Sequence, residues 1–240
     1  MHNIPVNYCM PYISLLCLRS LNMPNAFKYM ERKWAKPLLS MGLIRIGTLY
    51  DFRKQEHGKG ISDQDEGTKN ISHRVNAKSA KQIESFEKNF FEGSKIGDLI
   101  NKGVNIIFNE NEFINQYNSQ DLYIYCLSSK FSKKTMESFE RADTCLWLTK
   151  PDLFLKIITN EMNSITPTRF RGIHKAIYST RNESWNGEHG YHPSLIKEPK
   201  DSIQYEIRAI WEPMNNLKPI KPQIIMHHKI GSAFTEIKNI

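Results

Sequence analysis

The clearest hydrophobic pattern in the chain runs from Ser202 to Trp211, where apolar and polar residues alternate. This alternation is typical of a strand with one face in the core. Gln204, Glu206 and Arg208 would then share the polar face, with the amide and the carboxylate about 7 Å apart along the chain. The pattern predicts either a solvated strand face or a reaction site, and periodicity alone favours the solvated face.

Strands and helices are predicted to follow one another along the rest of the chain. Runs rich in β-branched and aromatic residues predict strands at 26–30, 43–52, 104–108, 122–127, 144–148, 172–178 and 223–228. Apolar residues at helical spacing predict helices at 31–41, 76–91 and 152–162. Polar, glycine-bearing or proline-bearing stretches predict loops at 53–76, 182–199 and 213–222. This order predicts an α+β fold, with an apolar N-terminal segment at 1–25 and a single domain at 26–240.

Charge and composition narrow the class of partner. Because 40% of the residues are hydrophobic, we expect a folded protein. Its formal net charge of +8 would attract nucleic acid or nucleotides, or would only keep the protein soluble. The apolar run from Tyr8 to Leu18 is too short to span a bilayer and has no basic start, so we expect no membrane association and a cytoplasmic location. This run is predicted to pack on the domain or to dock a partner protein.

Cysteine and histidine spacing gives no indication of a metal centre. Four cysteines are spread along the chain without C-x-x-C spacing: Cys9, Cys17, Cys126 and Cys145. We expect reduced, buried thiols at these positions. His189 and His192 have no evident third ligand, so no metal site is predicted. The chain also lacks the glycine-rich motifs of Rossmann and P-loop folds, so any dinucleotide would bind without such a cradle.

Several short motifs occur in a characteristic order between residues 26 and 212. An aromatic strand is followed by a helix, a Gly-Leu-Ile-Arg strand, an acidic loop, a Tyr-x-Tyr-x-Leu-Ser strand and a late Gln-x-Glu segment. In this order they resemble the ADP-ribosyltransferase superfamily, more narrowly its bacterial nucleic-acid-modifying toxins of anti-phage toxin, antitoxin and chaperone systems. The resemblance implies an ADP-ribosyltransferase-like split mixed β-sheet core with peripheral helices. It also implies NAD as substrate, RNA as the expected acceptor and a protein antitoxin as a partner.

The same resemblance implies roles for individual residues. Gln204, Tyr205 and Glu206 match the superfamily's Q/E-x-E signature, which makes Gln204 and Glu206 the implied catalytic pair. Tyr29 lies where the family usually has histidine or arginine, and the chain departs from the family's common triads because Ala26–Met30 contains neither. The implied NAD-binding residues flank these motifs: Lys28, Arg45, Tyr50, Arg53 and Ser128.

Glu206 has a definite task in this chemistry. Cleavage of the bond between nicotinamide and ribose builds oxocarbenium-like charge on the sugar, which a carboxylate held near it stabilises. Gln204 would orient the acceptor, but an amide cannot act as general base, so that role is left between Asp65 and Glu66. Two other functions remain open: a non-catalytic basic nucleic-acid-binding module and an NAD glycohydrolase with water as acceptor.

The remaining implied residues have binding roles. Tyr29 and Tyr50 are predicted to stack on nicotinamide or a substrate base, or equally to belong to the core. Arg45 and Arg53 are predicted to pair with the pyrophosphate through their planar guanidinium groups.

Overall fold

The computed structural model describes residues 25–75, 90–102, 111–185, 191–215 and 219–238, which divide into two compact units. The larger unit contains 25–68, 119–180, 191–215 and 219–238, and the smaller contains 69–75, 90–102, 111–118 and 181–185. The segments of the smaller unit alternate along the sequence with those of the larger one, and the single domain expected at 26–240 stays a prediction. The predicted N-terminal segment lies outside the described residues except for residue 25.

The described elements make the chain α+β, with many strands and few helices. The strands are β1 (Phe27–Met30), β2 (Leu43–Thr48), β3 (Thr68–Val75), β4 (Asn111–Asn118), β5 (Tyr123–Ser128), β6 (Thr144–Leu148), β7 (Thr168–Lys175), β8 (Ile177–Tyr178), β9 (Asn182–Ser184), β10 (Ile196–Lys197), β11 (Glu206–Pro213), β12 (Gln223–Met226) and β13 (Phe234–Glu236). The α-helices are α1 (Arg32–Met41), α2 (Lys95–Asn101), α3 (Lys133–Glu137), α4 (Pro151–Ile165) and α5 (His228–Gly231). Short 3₁₀ helices span Asp51–Arg53, Gln55–His57, Pro193–Leu195 and Pro199–Gln204.

The larger unit is built on an eight-stranded sheet that is split beside its central strand, β5. One side of β5 pairs with β11 along its whole length. On the other side β2 pairs with Tyr123 and Ile124, whereas β1 pairs with Ser128. Among the strands of the described residues, none on that side pairs with residues 125–127 of β5. The sheet therefore opens between β1 and β2.

The prediction of a mixed sheet is wrong for this sheet, because the pairs between its described strands are all antiparallel. Both β1 and β2 run antiparallel to β5, so they share one direction, as a strand, helix, strand connection requires. The opening separates them, and no parallel ladder forms. Parallel pairing occurs instead in two small sheets, between β8 and β10 and between β3 and β9.

Helices α1 and α4 confirm the helices predicted at 31–41 and 152–162. Helix α1 ends at Met41 and is capped by Gly42, which has φ 69° and donates its backbone N–H to the carbonyl of Leu38. A Cβ at Gly42 would lie 1.9 Å from the carbonyl oxygen of His227, so glycine is needed both for its conformation and for this close approach. Helix α4 begins at Pro151 and buries Phe154 in the main core with residues of β5 and β11.

Several elements differ from their predictions. Strands β3, β9 and β10 lie in stretches predicted as loops, β4 and β13 were not predicted, and the predicted strand at 172–178 is divided between β7 and β8. The strand predicted at 104–108 and residues 76–89 of the predicted helix at 76–91 lie outside the described residues. None of the helices within the described ranges combines the length and apolar character needed to cross a bilayer.

The smaller unit has its own sheet, in the order β4-β3-β9, and its own aromatic cluster. Phe90 packs edge-on against Phe91 and Trp185, with ring centroids 5.2 and 4.9 Å apart. The buried Lys69 pairs with the partly exposed Glu183 at 2.7 Å within this unit.

The strand predicted from Ser202 begins at Glu206 instead. Pro199–Gln204 forms a 3₁₀ helix, and Tyr205 follows it in the left-handed region at φ 47° and ψ 43°. Proline favours the first turn of a helix, which explains why the alternating pattern does not continue upstream as a strand. Strand β11 is buried on both faces for most of its length, so the prediction of a solvated polar face is also wrong.

Candidate functional site

A cavity of about 480 Å³ lies in the larger unit, where the sheet is split. Residues of β1, β2 and β5 line it, together with the start of β11. Its volume is within the range of small-molecule and cofactor sites, about 300–1,000 Å³. Six of the eight predicted site residues line it: Lys28, Tyr29, Arg45, Ser128, Gln204 and Glu206.

Glu206 is a buried carboxylate held by two cations. Its Oε2 accepts a hydrogen bond from Lys197 Nζ at 2.7 Å, and its Oε1 accepts one from Arg208 Nε at 2.6 Å. Its backbone N–H donates to the hydroxyl of Tyr178 at 2.7 Å. A carboxylate offers about four lone-pair directions, so these two side-chain bonds leave acceptor capacity for a substrate hydroxyl.

Gln204 binds the same lysine and precedes Glu206 by two residues, on the other side of the turn at Tyr205. Its Oε1 accepts from Lys197 Nζ at 2.6 Å, and its Nε2 donates to the carbonyl of Gly60 at 2.9 Å. The hydroxyl of Ser128 donates to the backbone carbonyl of Gln204 at 2.7 Å. Gln204 and Glu206 therefore meet at one ammonium group, although they do not lie on one strand face.

Arg208 links Glu206 to a second buried carboxylate, Glu66. Its Nη1 donates to Glu66 Oε1 at 2.8 Å and its Nη2 donates to Oε2 at 3.1 Å, and Nη1 also donates to the carbonyl of Ser194. Arg208 is 1% exposed, so its charge depends on these partners rather than on water. Glu66 also lines the cavity, whereas Asp65 is exposed and does not.

The charges of this network set the protonation of its members. Burial alone would raise the pKa of Glu206, but Arg208 and Lys197 outweigh desolvation and hold that pKa well below its usual range. For Glu66, burial has the larger effect and raises the pKa, although Arg208 opposes this. Glu206 therefore remains ionised at every pH at which the fold is expected to operate.

Lys28 lies at the opening of the sheet. Its Nζ donates to the carbonyl of Cys126 at 2.9 Å, within the part of β5 that neither β1 nor β2 pairs with. The ammonium also lies 4.7 Å from the ring centroid of Tyr125, a distance suited to a cation–π contact. Burial lowers the pKa of Lys28, whereas the charge of Glu206 opposes that shift. Lys28 thus places a donor on the cavity wall.

Tyr29 lines the cavity, but its hydroxyl is engaged by the backbone. It accepts from the N–H of Ser132 at 2.7 Å and donates to the carbonyl of Lys130 at 3.0 Å. Its ring packs on Phe139 at 5.9 Å between centroids. Burial raises the pKa of Tyr29 to about 12, so it remains a neutral phenol at physiological pH. These contacts fix the loop after β5.

Arg45 extends from β2 and pairs with the buried carboxylate of Asp51. Lys54 and His57 also reach Asp51, at 3.0 and 3.1 Å. Asp51, Glu56 and His57 have ligand-type atoms within 4.8 Å of one another. Arg45 and Lys54 already supply positive charge to this group, which disfavours a metal cation there.

Tyr50 and Arg53 contact each other outside the cavity lining. The guanidinium of Arg53 lies 3.9 Å from the ring centroid of Tyr50, and its Nε donates to the backbone carbonyl of Glu66. The hydroxyl of Tyr50 donates to the carbonyl of Ser119 at 2.5 Å. The structure thus does not bring this pair together with the other predicted site residues.

Sequence reasoning missed Lys197 and Tyr178 and gave Arg208 no role. Arg208 carried a signal, because it is the third polar residue of the alternating pattern. Lys197 and Tyr178 carried none, since both come from short strands in or beside stretches that looked like loop. Of the predicted thiols, Cys126 and Cys145 are free, whereas Cys9 and Cys17 lie outside the described residues.

His192 is engaged locally through a bond of 2.7 Å between its Nδ1 and the hydroxyl of Ser194. His189, with which it was considered as a metal ligand, lies outside the described residues.

Comparison of the chain with protein-family models, with curated proteins and with solved structures gives no match. Its function is therefore inferred from the residues of the cavity.

Proposed function

We propose that the protein is an enzyme that transfers ADP-ribose from NAD to a macromolecular acceptor, with RNA as the expected class, and releases nicotinamide. The observation that carries this proposal is Glu206, an ionised carboxylate buried in a cavity of suitable volume and held by Lys197 and Arg208. The resemblance of the Gln-x-Glu segment to the ADP-ribosyltransferase signature supports the same chemistry.

The reaction breaks the bond between the nicotinamide nitrogen and the ribose carbon and forms a bond from that carbon to an acceptor oxygen or nitrogen. Nicotinamide takes the electron pair of the broken bond and leaves as a neutral molecule. Glu206 stabilises the positive charge that develops on the ribose, and this interaction strengthens as the transition state is approached. Because its protein partners are fixed in advance, little reorganisation is needed during the reaction.

The acceptor loses one proton, which a base in the cavity receives. Of the two carboxylates considered, Glu66 lines the cavity and has a raised pKa, whereas Asp65 is exposed. Glu66 is therefore the base in this proposal. Arg45 and Lys28 provide positive charge on the cavity wall for the pyrophosphate.

The experiment measures nicotinamide release and transfer of labelled ADP-ribose in the presence of total RNA, DNA or protein. Glu206→Gln is expected to lower both by about 100-fold or more, because oxyanion-type and carboxylate stabilisation of charge has effects of this size. Glu212→Gln is the matched control, since Glu212 lies on the same strand, pairs with Arg171 and does not line the cavity. It is expected to retain activity.

Removal of a buried charge can unfold a protein, so Glu206→Asp is included as a variant that keeps the charge but retracts the carboxylate. Folding of each variant is checked by circular dichroism and thermal melting. Full activity of a folded Glu206→Gln variant would show that the assignment is wrong. Free ADP-ribose without a labelled polymer would favour NAD hydrolysis, and salt-sensitive RNA binding without NAD consumption would favour a binding module.

A further inference from the structure

Lys197 contacts both polar residues of the Gln-x-Glu segment with a single ammonium group. Its Nζ donates to Gln204 Oε1 at 2.6 Å and to Glu206 Oε2 at 2.7 Å, and its side chain is 6% exposed. A lysine ammonium has three protons, and two of them are used for these bonds. Because its partners come from a 3₁₀ helix and a strand, Lys197 joins two elements at the cavity wall.

The strand paired with that of Lys197, β8, supports the backbone of Glu206. Lys197 lies opposite Tyr178 in the parallel pair of β8 and β10, and the hydroxyl of Tyr178 accepts from the backbone N–H of Glu206. The carbonyl of Glu206 accepts from the N–H of Ala176 at 2.9 Å. The pair of strands β8 and β10 thus holds both the side chain and the main chain of Glu206.

Charge neutralisation alone does not account for this arrangement. Lys197 and Arg208 together balance the charges of Glu206 and Glu66, but Gln204 is neutral and needs no counter-charge, so the contact of Lys197 with Gln204 has another role. An ammonium shared between a carboxylate and an amide fixes the position of one relative to the other. Reactive groups must be held within about 0.5 Å of their productive geometry, which requires support of this kind.

We propose that Lys197 is a positioning residue for the transfer of ADP-ribose, which holds Gln204 and Glu206 in one geometry across the Tyr205 turn. This inference rests on the proposed function, because it assigns to Lys197 an effect on the reaction of Glu206. Lys197 acts through these two residues and need not touch the substrate.

The test compares Lys197→Met and Lys197→Arg in steady-state kinetics with NAD. Both variants are expected to lower kcat by about 100-fold with a small change in KM, because misplacement of about 1 Å has an effect of this size. In Lys197→Met, Glu206 and Glu66 both lose a nearby cation, so the pKa of each carboxylate rises, and the acid limb of kcat/KM, which follows the base Glu66, is expected to move to higher pH. Lys197→Arg keeps the charge, and its acid limb is expected to stay closer to that of the unaltered chain.

Lys69→Met is the matched control, because Lys69 is also a buried lysine paired with a glutamate and lies in the smaller unit. It is expected to alter stability but neither kcat nor the pH profile. Unchanged kcat in Lys197→Arg would overturn the positioning role in favour of charge alone, and this variant serves the test even if Lys197→Met does not fold. Absence of NAD turnover by the unaltered chain would overturn the proposed function itself, and the role of Lys197 with it.

Discussion

At the residue scale, the site consists of opposite charges that balance one another inside the protein. Glu206 and Glu66 face Arg208 and Lys197, and all four are buried. Removing one partner from such a network leaves a charge without compensation, which typically destabilises a fold by about 3–5 kcal/mol. The same charges that make Glu206 suited to stabilising a cation therefore also contribute to folding, and stability and activity must be measured together.

The lowered pKa of Glu206 predicts how stability depends on pH. Its pKa is lower in the folded chain than the ordinary value of 4.5, so its contribution is fully present above that pH and is lost as pH falls toward the folded value. The unfolding free energy of the unaltered chain should therefore exceed that of Glu206→Gln by about 3–5 kcal/mol at neutral pH. This difference should shrink below about pH 4.5. Urea denaturation of both proteins from pH 7 to pH 3 measures it, and a difference that does not change with pH would contradict the prediction.

At the element scale, sequence periodicity predicts long strands and capped helices but not the turn that forms the site. The strands at 26–30, 122–127 and 144–148 and the helix ended by Gly42 could be predicted because local residue preferences and tertiary packing agree there. The alternation that begins at Ser202 satisfies the strand pattern equally well, yet Tyr205 turns the chain. Short strands such as β10 could not be predicted, because two residues carry no periodicity and form a ladder only with a distant partner.

The turn at Tyr205 predicts a contrast between two substitutions. A left-handed conformation costs an ordinary residue about 1–2 kcal/mol, whereas asparagine tolerates it and a β-branched residue does not. Ser129 donates from its N–H and its hydroxyl to the carbonyl of Tyr205, so the turn is held in place. Tyr205→Val should therefore be less stable than Tyr205→Asn by about 1–2 kcal/mol in urea denaturation. Both variants lose the contact between the ring and Lys130, so the comparison isolates the backbone, and equal stabilities would exclude strain at this position.

At the scale of the whole molecule, the cavity of the larger unit would bind NAD, whereas the net charge would act on the acceptor. The cavity and all of its lining residues belong to the larger unit, so the proposed NAD chemistry would take place in that unit. The charge of +8 belongs to the complete chain and acts over distances of about 10 Å at ordinary ionic strength. A polyanionic acceptor would respond to that charge, whereas NAD would depend mainly on the contacts within the cavity.

This difference predicts that salt lowers the rate of transfer to RNA much more than the rate of NAD hydrolysis. Phosphate contacts release counterions, and a protein that makes 6–10 of them loses about 10³–10⁵ in affinity between 50 and 200 mM salt. With RNA below saturation, transfer of ADP-ribose to RNA should therefore fall by at least about tenfold over this range of potassium chloride. Release of nicotinamide without RNA, with water as the acceptor, should change by less than about twofold, because burial weakens screening of the charges around Glu206. Both rates are measured with the same labelled NAD, and Glu206→Gln supplies the background. An equal decline of both rates would indicate that salt acts on the cavity, and transfer to RNA that is insensitive to salt would contradict an acceptor held through its phosphates.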